Sequence, residues 1–197
     1  MILVVDYGMG NLRSVRRAFE HLSQEVRVTC DPADLLSAAR VVLPGVGAFG
    51  EAIRRIDDLG LREPLLGHIS AGRPLLGICL GMQLLFPQSE EDPGANGLGV
   101  LEGSVKRFDP GVKIPHIGWN NVQPVGISSF FSTGEDRSTF YFVHSYYVGE
   151  TPWRIGATEH GVVFTSAVQR KNVVGFQFHP EKSQEAGLKL LGRFAGM

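Results

Sequence analysis

At 197 residues the chain is long enough to bury one sizeable core, and one domain spanning 1–197 is the expectation. A hydrophobic share of 43%, an aromatic share of 9% and 25 glycines exclude a disordered or fibrous chain and fit a globular protein rich in turns. Nineteen basic against twenty acidic residues leave a formal charge of -1 with no Lys/Arg run to follow a phosphate backbone or an anionic bilayer, so neither nucleic acid nor membrane is expected as a partner.

Met1-Ile2-Leu3-Val4-Val5-Asp6 reads as the start of a strand and lacks the basic flank and long apolar region of a secretory signal. Apolar runs such as Leu75 to Leu80 fall far short of the ~20 residues a membrane helix needs, and a cytoplasmic location is expected. After Asp6-Tyr7-Gly8, apolar Leu12, Val15, Ala18, Phe19 and Leu22 recur at helical spacing and predict a helix over 12–22. Val26 to Thr29, a helix near 32–39 and Val41 to Leu43 repeat the alternation, and Leu75 to Ile78 adds a buried strand. This order predicts an α/β fold with a largely parallel central sheet flanked by helices. Beyond the Pro/Gly-rich stretch 87–99 come short β-like runs at 100–108, 121–125, 139–143, 162–168 and 173–178, which predict additional antiparallel strands in the second half. An amphipathic stretch over 184–194 predicts a closing helix.

The chemistry concentrates where the strand Leu75 to Ile78 runs into Gly77-Ile78-Cys79-Leu80-Gly81 and then a helical pattern over 80–86. This is the grammar of a nucleophile elbow with cysteine in place of serine, its glycines removing side chains that would clash in the turn. A helix N-terminus beyond the turn favours a thiolate and offers the Leu80 N–H to a developing oxyanion. The competing reading, a cysteine serving as a small buried hydrophobe, is the commoner fate of this residue in an apolar run. Cys30 lacks a glycine frame and is assigned to structure. Two cysteines outside any C-x-x-C spacing support neither a disulfide framework nor a zinc cluster, so no metal and no cofactor is expected.

A thiol nucleophile needs a base, and six histidines are available. His21, His68 and His160 read as solvated surface imidazoles. His179 ends the run Val173 to Phe178 and precedes Pro180-Glu181, so an acid two residues on, along a stiffened turn, can orient the ring toward the thiol. Taken alone, His-Pro-Glu is weak evidence, and an ordinary loop at a strand end is the commoner reading. Leu43-Pro44-Gly45-Val46-Gly47 can aim backbone N–H groups at one point, or be a plain strand-to-helix turn. Gly8-Met9-Gly10 does not continue as a dinucleotide loop, because Arg13 stands where the third glycine belongs.

Gly-x-Cys-x-Gly-x-Gln at 77–83, Pro-Gly-Val-Gly at 44–47 and Phe178-His179-Pro180-Glu181 together resemble the class I (triad) glutamine amidotransferases in order and spacing. Three further stretches, Asp6 to Val15, Ile114-Pro115-His116-Ile117-Gly118-Trp119-Asn120 and Tyr141 to Tyr146, are similar to the glutaminase subunits of imidazole glycerol phosphate synthase in histidine biosynthesis. The resemblance covers nearly the whole chain and implies the class I glutamine amidotransferase fold. It implies Cys79 as nucleophile, His179 as base and Glu181 as orienting acid. Backbone N–H groups of Val46 and Leu80 would surround the thioester oxyanion, and glutamine would be held by Gln83 and by backbone around Gly47, Ser145 and Tyr146. Asn11, Trp119, Tyr141 and Lys182 match positions facing a cyclase subunit, a (β/α)8 barrel that forms a heterodimer and consumes the ammonia. The Gly45-Val46 peptide is the candidate switch of the oxyanion hole. Competing readings are a glutaminase of another pathway, a catalytically silent binding subunit and a cysteine peptidase.

Overall fold

The computed structural model describes residues 1–131 and 138–197. Its first half alternates strand and helix: β1 (Ile2–Val5), α1 (Leu12–His21), β2 (Val26–Thr29), α2 (Pro32–Ser37), β3 (Arg40–Leu43), α3 (Phe49–Asp58), α4 (Arg62–Ser70), β4 (Leu75–Ile78) and α5 (Leu80–Gln83). The second half is mostly strand: β5 (Val105–Arg107), β6 (His116–Pro124), β7 (Ser138–His144), β8 (Tyr146–Val148), β9 (Arg154–Glu159), β10 (Val163–Arg170) and β11 (Val173–Phe176), closed by α6 (Gln184–Ala195).

Strand periodicity builds the core. Along β1, Ile2 and Val4 point to one face of the sheet and Leu3 and Val5 to the other, and all four are buried. The first face is covered by Val15 and Phe19 of α1 and by Leu190, Leu191 and Phe194 of α6. The second is covered by Ile53 and Ile56 of α3 and Leu65 of α4. A strand covered on both faces needs a continuous apolar run, which explains why β1, β3 and β4 show almost no polar alternation.

The described strands form one sheet in the order β2-β1-β3-β4-β11-β10-β9-β6-β7, with β5 and β8 paired off this path. Pairing is parallel from β2 through β4 to β11 and antiparallel from β11 onward to β7. This is the fold expected: largely parallel strands between helices, with antiparallel strands from the second half. Because β1, β3, β4 and β11 run the same way, the loops after Val5, Leu43, Ile78 and Phe176 gather at one edge. That is where open α/β sheets hold their ligands.

Several expectations shift in detail. The β-like run at 100–108 contributes strand only at Val105–Arg107, because the chain bends over 101–103 and passes through Gly103 at φ +128°. The helical pattern 80–86 stops at Gln83. Helices α3 and α4 and strands β8 and β9 occupy stretches to which the sequence reading assigned no element. Among the described residues no helix is long and apolar enough to cross a membrane.

Candidate active site

Cys79 sits at the end of β4 with φ 54° and ψ -112°, the sharp turn of an elbow, and α5 begins at the next residue. Its glycine frame is a packing requirement. A Cβ on Gly81 would lie 1.8 Å from the Leu43 carbonyl oxygen, and one on Gly77 would lie 2.6 Å from the Gly81 carbonyl oxygen. The Cys79 backbone N–H donates to Phe176 O at 2.7 Å, tying the elbow to β11. Its thiol lies 3.8 Å from Val143 O, and the Gln177 side-chain amide lies 3.7 Å from the sulfur.

His179 leaves β11 two residues after Gln177 and caps a short 3-10 turn, Pro180–Lys182. The turn brings Glu181 Oε1 to 2.8 Å from His179 Nδ1, with both side chains buried. Strand β7 grips this loop: His179 N–H donates to Tyr141 O at 2.9 Å, Tyr141 N–H to Ser183 Oγ at 3.0 Å, and Ser183 Oγ to His179 O at 2.6 Å. The other ring nitrogen, His179 Nε2, and the other carboxylate oxygen, Glu181 Oε2, have no hydrogen-bond partner among the described residues. Burial works against the charged imidazole, yet the facing Cys79 sulfur and the Glu181 carboxylate outweigh it and raise the His179 pKa to about 10. The raised value keeps the His179 ring a proton donor beside the Cys79 sulfur.

A cavity of about 350 Å³ opens over the thiol, lined by Val46, Gly47, Cys79, Leu80, Gln83, Glu91, Pro115, Val143, His144, Ser145 and Tyr146. Every residue that the resemblance assigned to the oxyanion hole or to glutamine is on this wall. Gln83 Nε2 donates to Tyr146 O at 3.0 Å and to Gln177 Oε1 at 2.9 Å. Opposite the elbow, Tyr7 Oη donates to Pro44 O at 2.8 Å, and a Cβ on Gly45 would fall 2.4 Å from Tyr7 Oη and 2.9 Å from Leu80 Cβ. The Gly45-Val46 peptide is thereby pressed against the start of α5. Burial, with the Cys79 charge adding to it, raises the Tyr7 pKa, so the phenol stays a donor.

Sequence reasoning missed Glu91, Pro115, Val143 and His144. Glu91 lies in a loop without motif, and a long-range contact places it: Glu91 Oε2 accepts from Phe49 N–H at 2.8 Å. His68 is a correction, while His160 is a half-buried ring. His68 is 1% exposed with Nε2 bonded to Pro74 O at 3.0 Å, and His160 stacks on His116 with ring centroids 4.1 Å apart. Cys30 is an exposed free thiol far from this chemistry in the chain. Of the residues matched to the partner face, Trp119 is 49% exposed and meets Tyr141 edge-on at 6.1 Å, while Lys182 Nζ lies 5.8 Å from the Tyr141 ring centre. Asn11 caps α1 by accepting from Ser14 N–H at 3.3 Å. Among the described residues no group of three or more His, Cys, Asp or Glu could hold a metal ion.

An elbow thiol, a buried His-Glu pair and an adjoining glycine turn at the carboxyl edge of a parallel sheet have the arrangement of a nucleophile-base-acid hydrolase. The profile of the glutamine amidotransferase class-I family matches residues 3–195, and the chain belongs to that family. A protein of Methanothermobacter thermautotrophicus described as imidazole glycerol phosphate synthase subunit HisH is 49% identical over 195 residues, covering 98% of this chain and 97% of the relative. A protein of the same description from Nitrosomonas europaea is 48% identical over 206 residues, covering 98% and 96%. Among solved structures, one described as a glutamine amidotransferase superposes with a TM-score of 0.79 at 19% identity over all of both chains. PurLQS from Thermotoga maritima gives 0.77 at 19% identity, covering 99% of this chain and 97% of that one.

Proposed function

We propose that this chain is the glutaminase subunit of an imidazole glycerol phosphate synthase, releasing ammonia from glutamine for a cyclase subunit in histidine biosynthesis. The observation that carries the reading is the Cys79 elbow, which lines a cavity with Gln83 and Glu91 and has the buried His179-Glu181 pair beside its sulfur. The relatives named HisH, similar over almost the whole chain, supply the pathway and the partner.

Cys79 sulfur attacks the side-chain carbonyl carbon of glutamine, and the oxygen takes up negative charge opposite the N–H groups of Leu80 and Val46. The C–N bond breaks as the His179 imidazolium gives its proton to the departing nitrogen, leaving ammonia and a glutamyl thioester. Water then attacks the thioester with His179 taking its proton, and the tetrahedral adduct expels the sulfur and frees glutamate. Glu181 keeps Nδ1 as the donor side of the ring, so that Nε2 faces the sulfur throughout. An amino-acid substrate also carries an ammonium group, and Glu91 is a carboxylate on the cavity wall able to receive it. Gln83 and the backbone at Gly47, Ser145 and Tyr146 supply the remaining polar contacts.

Ammonia attacks carbon only while unprotonated, so release into bulk water would waste it. That favours a docked cyclase, a (β/α)8 barrel in a heterodimer, against the face bearing Asn11, Trp119, Tyr141 and Lys182. The Gly45-Val46 peptide is the switch that couples docking to a complete oxyanion hole. The whole of 1–197 is one glutamine amidotransferase domain, supported by a sheet that runs from β2 to β7 and by the family match over 3–195. A cytoplasmic location follows from the biosynthetic role.

The test is glutamate release from glutamine by the chain alone and then with a cyclase subunit and its nucleotide ligand, with Cys79→Ala as control. Release that rises on adding the partner and is absent in Cys79→Ala supports the reading. Release without any response to the cyclase moves the chain to another amidotransferase pathway, and no release in any mixture overturns the glutaminase assignment.

A further inference from the structure

Behind the cavity wall lies a chain of hydrogen bonds that the triad chemistry does not use. Strands β6 and β7 pair His116 with His144, and their rings meet across the strands with His116 Nδ1 3.0 Å from His144 Nε2. His144 Nδ1 lies 2.7 Å from Tyr146 O, and Asn120 Nδ2 lies 3.1 Å from His116 Nε2 and 2.9 Å from Glu159 O. Tyr146 O is the same carbonyl that accepts from Gln83 Nε2 at 3.0 Å.

One direction of donation satisfies the whole chain. A carbonyl oxygen only accepts, so His144 Nδ1 carries the proton and donates to Tyr146 O, leaving Nε2 as an acceptor. His116 must then donate from Nδ1 to His144, and its free Nε2 accepts from Asn120. Both rings are therefore neutral with fixed tautomers, since a proton added to either would set two donors face to face. Burial agrees, pulling His116 down to about 4 and His144 to about 3.

The pair lies in an aromatic nest with Phe108, Phe142, Phe164 and His160. Two apolar rings would fill such a nest without the cost of desolvating imidazoles, so packing alone gives no reason for them. What the imidazoles add is directional bonding between two places: Asn120, next to exposed Trp119 on β6, and the segment Val143 to Tyr146, which walls the cavity.

We propose that His116 and His144 are positioning residues that tie the placement of β6 to the glutamine pocket, so that movement of β6 at Asn120 re-aims the Tyr146 carbonyl and Gln83 and changes affinity for glutamine. The inference rests on the glutaminase reading above. It adds a second route from the partner-facing strand into the site, acting on substrate affinity and separate from the oxyanion peptide.

The test uses 6-diazo-5-oxo-L-norleucine, which keeps the amino-acid head of glutamine and alkylates a thiolate with loss of dinitrogen. Its saturable inactivation of Cys79 gives a binding constant, KI, and a limiting rate, while iodoacetamide reports thiol reactivity without needing the amino-acid pocket. His116→Leu is expected to raise KI roughly tenfold, the scale of one misplaced hydrogen bond, with the limiting rate and the iodoacetamide rate within about twofold of the parent. His116→Asn keeps an N–H near the place of Nδ1 and is expected to restore KI to near the parent value. Asn120→Ala leaves the nest intact, removes the donor at the exposed end and is expected to raise KI roughly threefold, so it decides the matter should His116→Leu not fold. An unchanged KI in the folded variants, a His116→Asn variant as impaired as His116→Leu, or an iodoacetamide rate that falls in step with affinity would each overturn the relay. A parent chain that shows no saturable reaction with the analogue, alone or with the cyclase subunit and its nucleotide ligand, instead overturns the glutaminase reading.

Discussion

Cys79 occupies a backbone conformation, φ 54°, that costs an L residue about 1 kcal/mol or more. The strain lifts the sulfur off the end of β4 into the cavity, so it belongs to the residue's chemistry and not to its packing. Cys79→Ala keeps the strain and Cys79→Gly releases it. In urea unfolding the glycine variant is expected to be about 1 kcal/mol more stable than the alanine variant, although both lose glutamate release. His179 carries a second residue-scale prediction. Its raised folded pKa contributes stability that is whole below the unfolded value, about 6.5, and is lost as pH rises through about 10. Glu181→Gln removes one of the two anions responsible, so the loss should be smaller and complete at lower pH, with the ring's titration followed by NMR moving down in parallel. Turnover should fall about 10- to 100-fold, since the ring also loses its orienting partner. At this scale the elbow and the His179-Glu181 contact were legible because each sits in a local motif: Gly-x-Cys-x-Gly places Cys79, and a two-residue spacing joins His179 to Glu181. His68 was misread for the opposite reason: polar neighbours in the chain suggested solvent, but its ring is buried against the Pro74 carbonyl.

Among elements, the elbow works because β4, α5 and β3 approach more closely than side chains permit. Gly81→Ala would drive a Cβ into the Leu43 carbonyl of β3 and is expected to cost about 3 kcal/mol or more in urea unfolding. Gly67, exposed inside α4 with nothing near its would-be Cβ, gives the contrast: Gly67→Ala should stabilise by about 1 kcal/mol. Strand β7 is the element with most to do. Tyr141 holds the triad loop from its backbone and meets Trp119 with its ring, Val143 O lies beside the Cys79 sulfur, and His144 passes to the relay. The sequence marks 139–143 as β-like, but strand propensity is silent on which strand lies alongside, and pairing with β6 is what brings His116 opposite His144.

For the whole molecule, the neutral histidine pair predicts an acid limit. Unfolded histidines bind protons near pH 6.5, whereas His116 and His144 in the fold do so only near 4 and 3. Both folded values are depressed, so the stability that this pairing contributes is whole above about pH 6.5 and is lost as pH falls through the folded values. Urea midpoints measured from pH 7 to pH 3.5 are expected to decline over that window. The decline should be shallower in His116→Leu, which titrates one group fewer. By itself the sequence determined the class of fold and the parallel half of the sheet, and it pointed to Cys79, His179 and Glu181 as a candidate site, because apolar period, glycine frames and a two-residue acid-base spacing are local signals. Only the tertiary structure decided that Glu91 reaches the cavity, that His116 and His144 share a chain of hydrogen bonds, and that β7 serves both the triad and the exposed Trp119 face. Those relations join residues far apart in the chain, and they exist only once strand pairing and packing have set which backbones lie side by side.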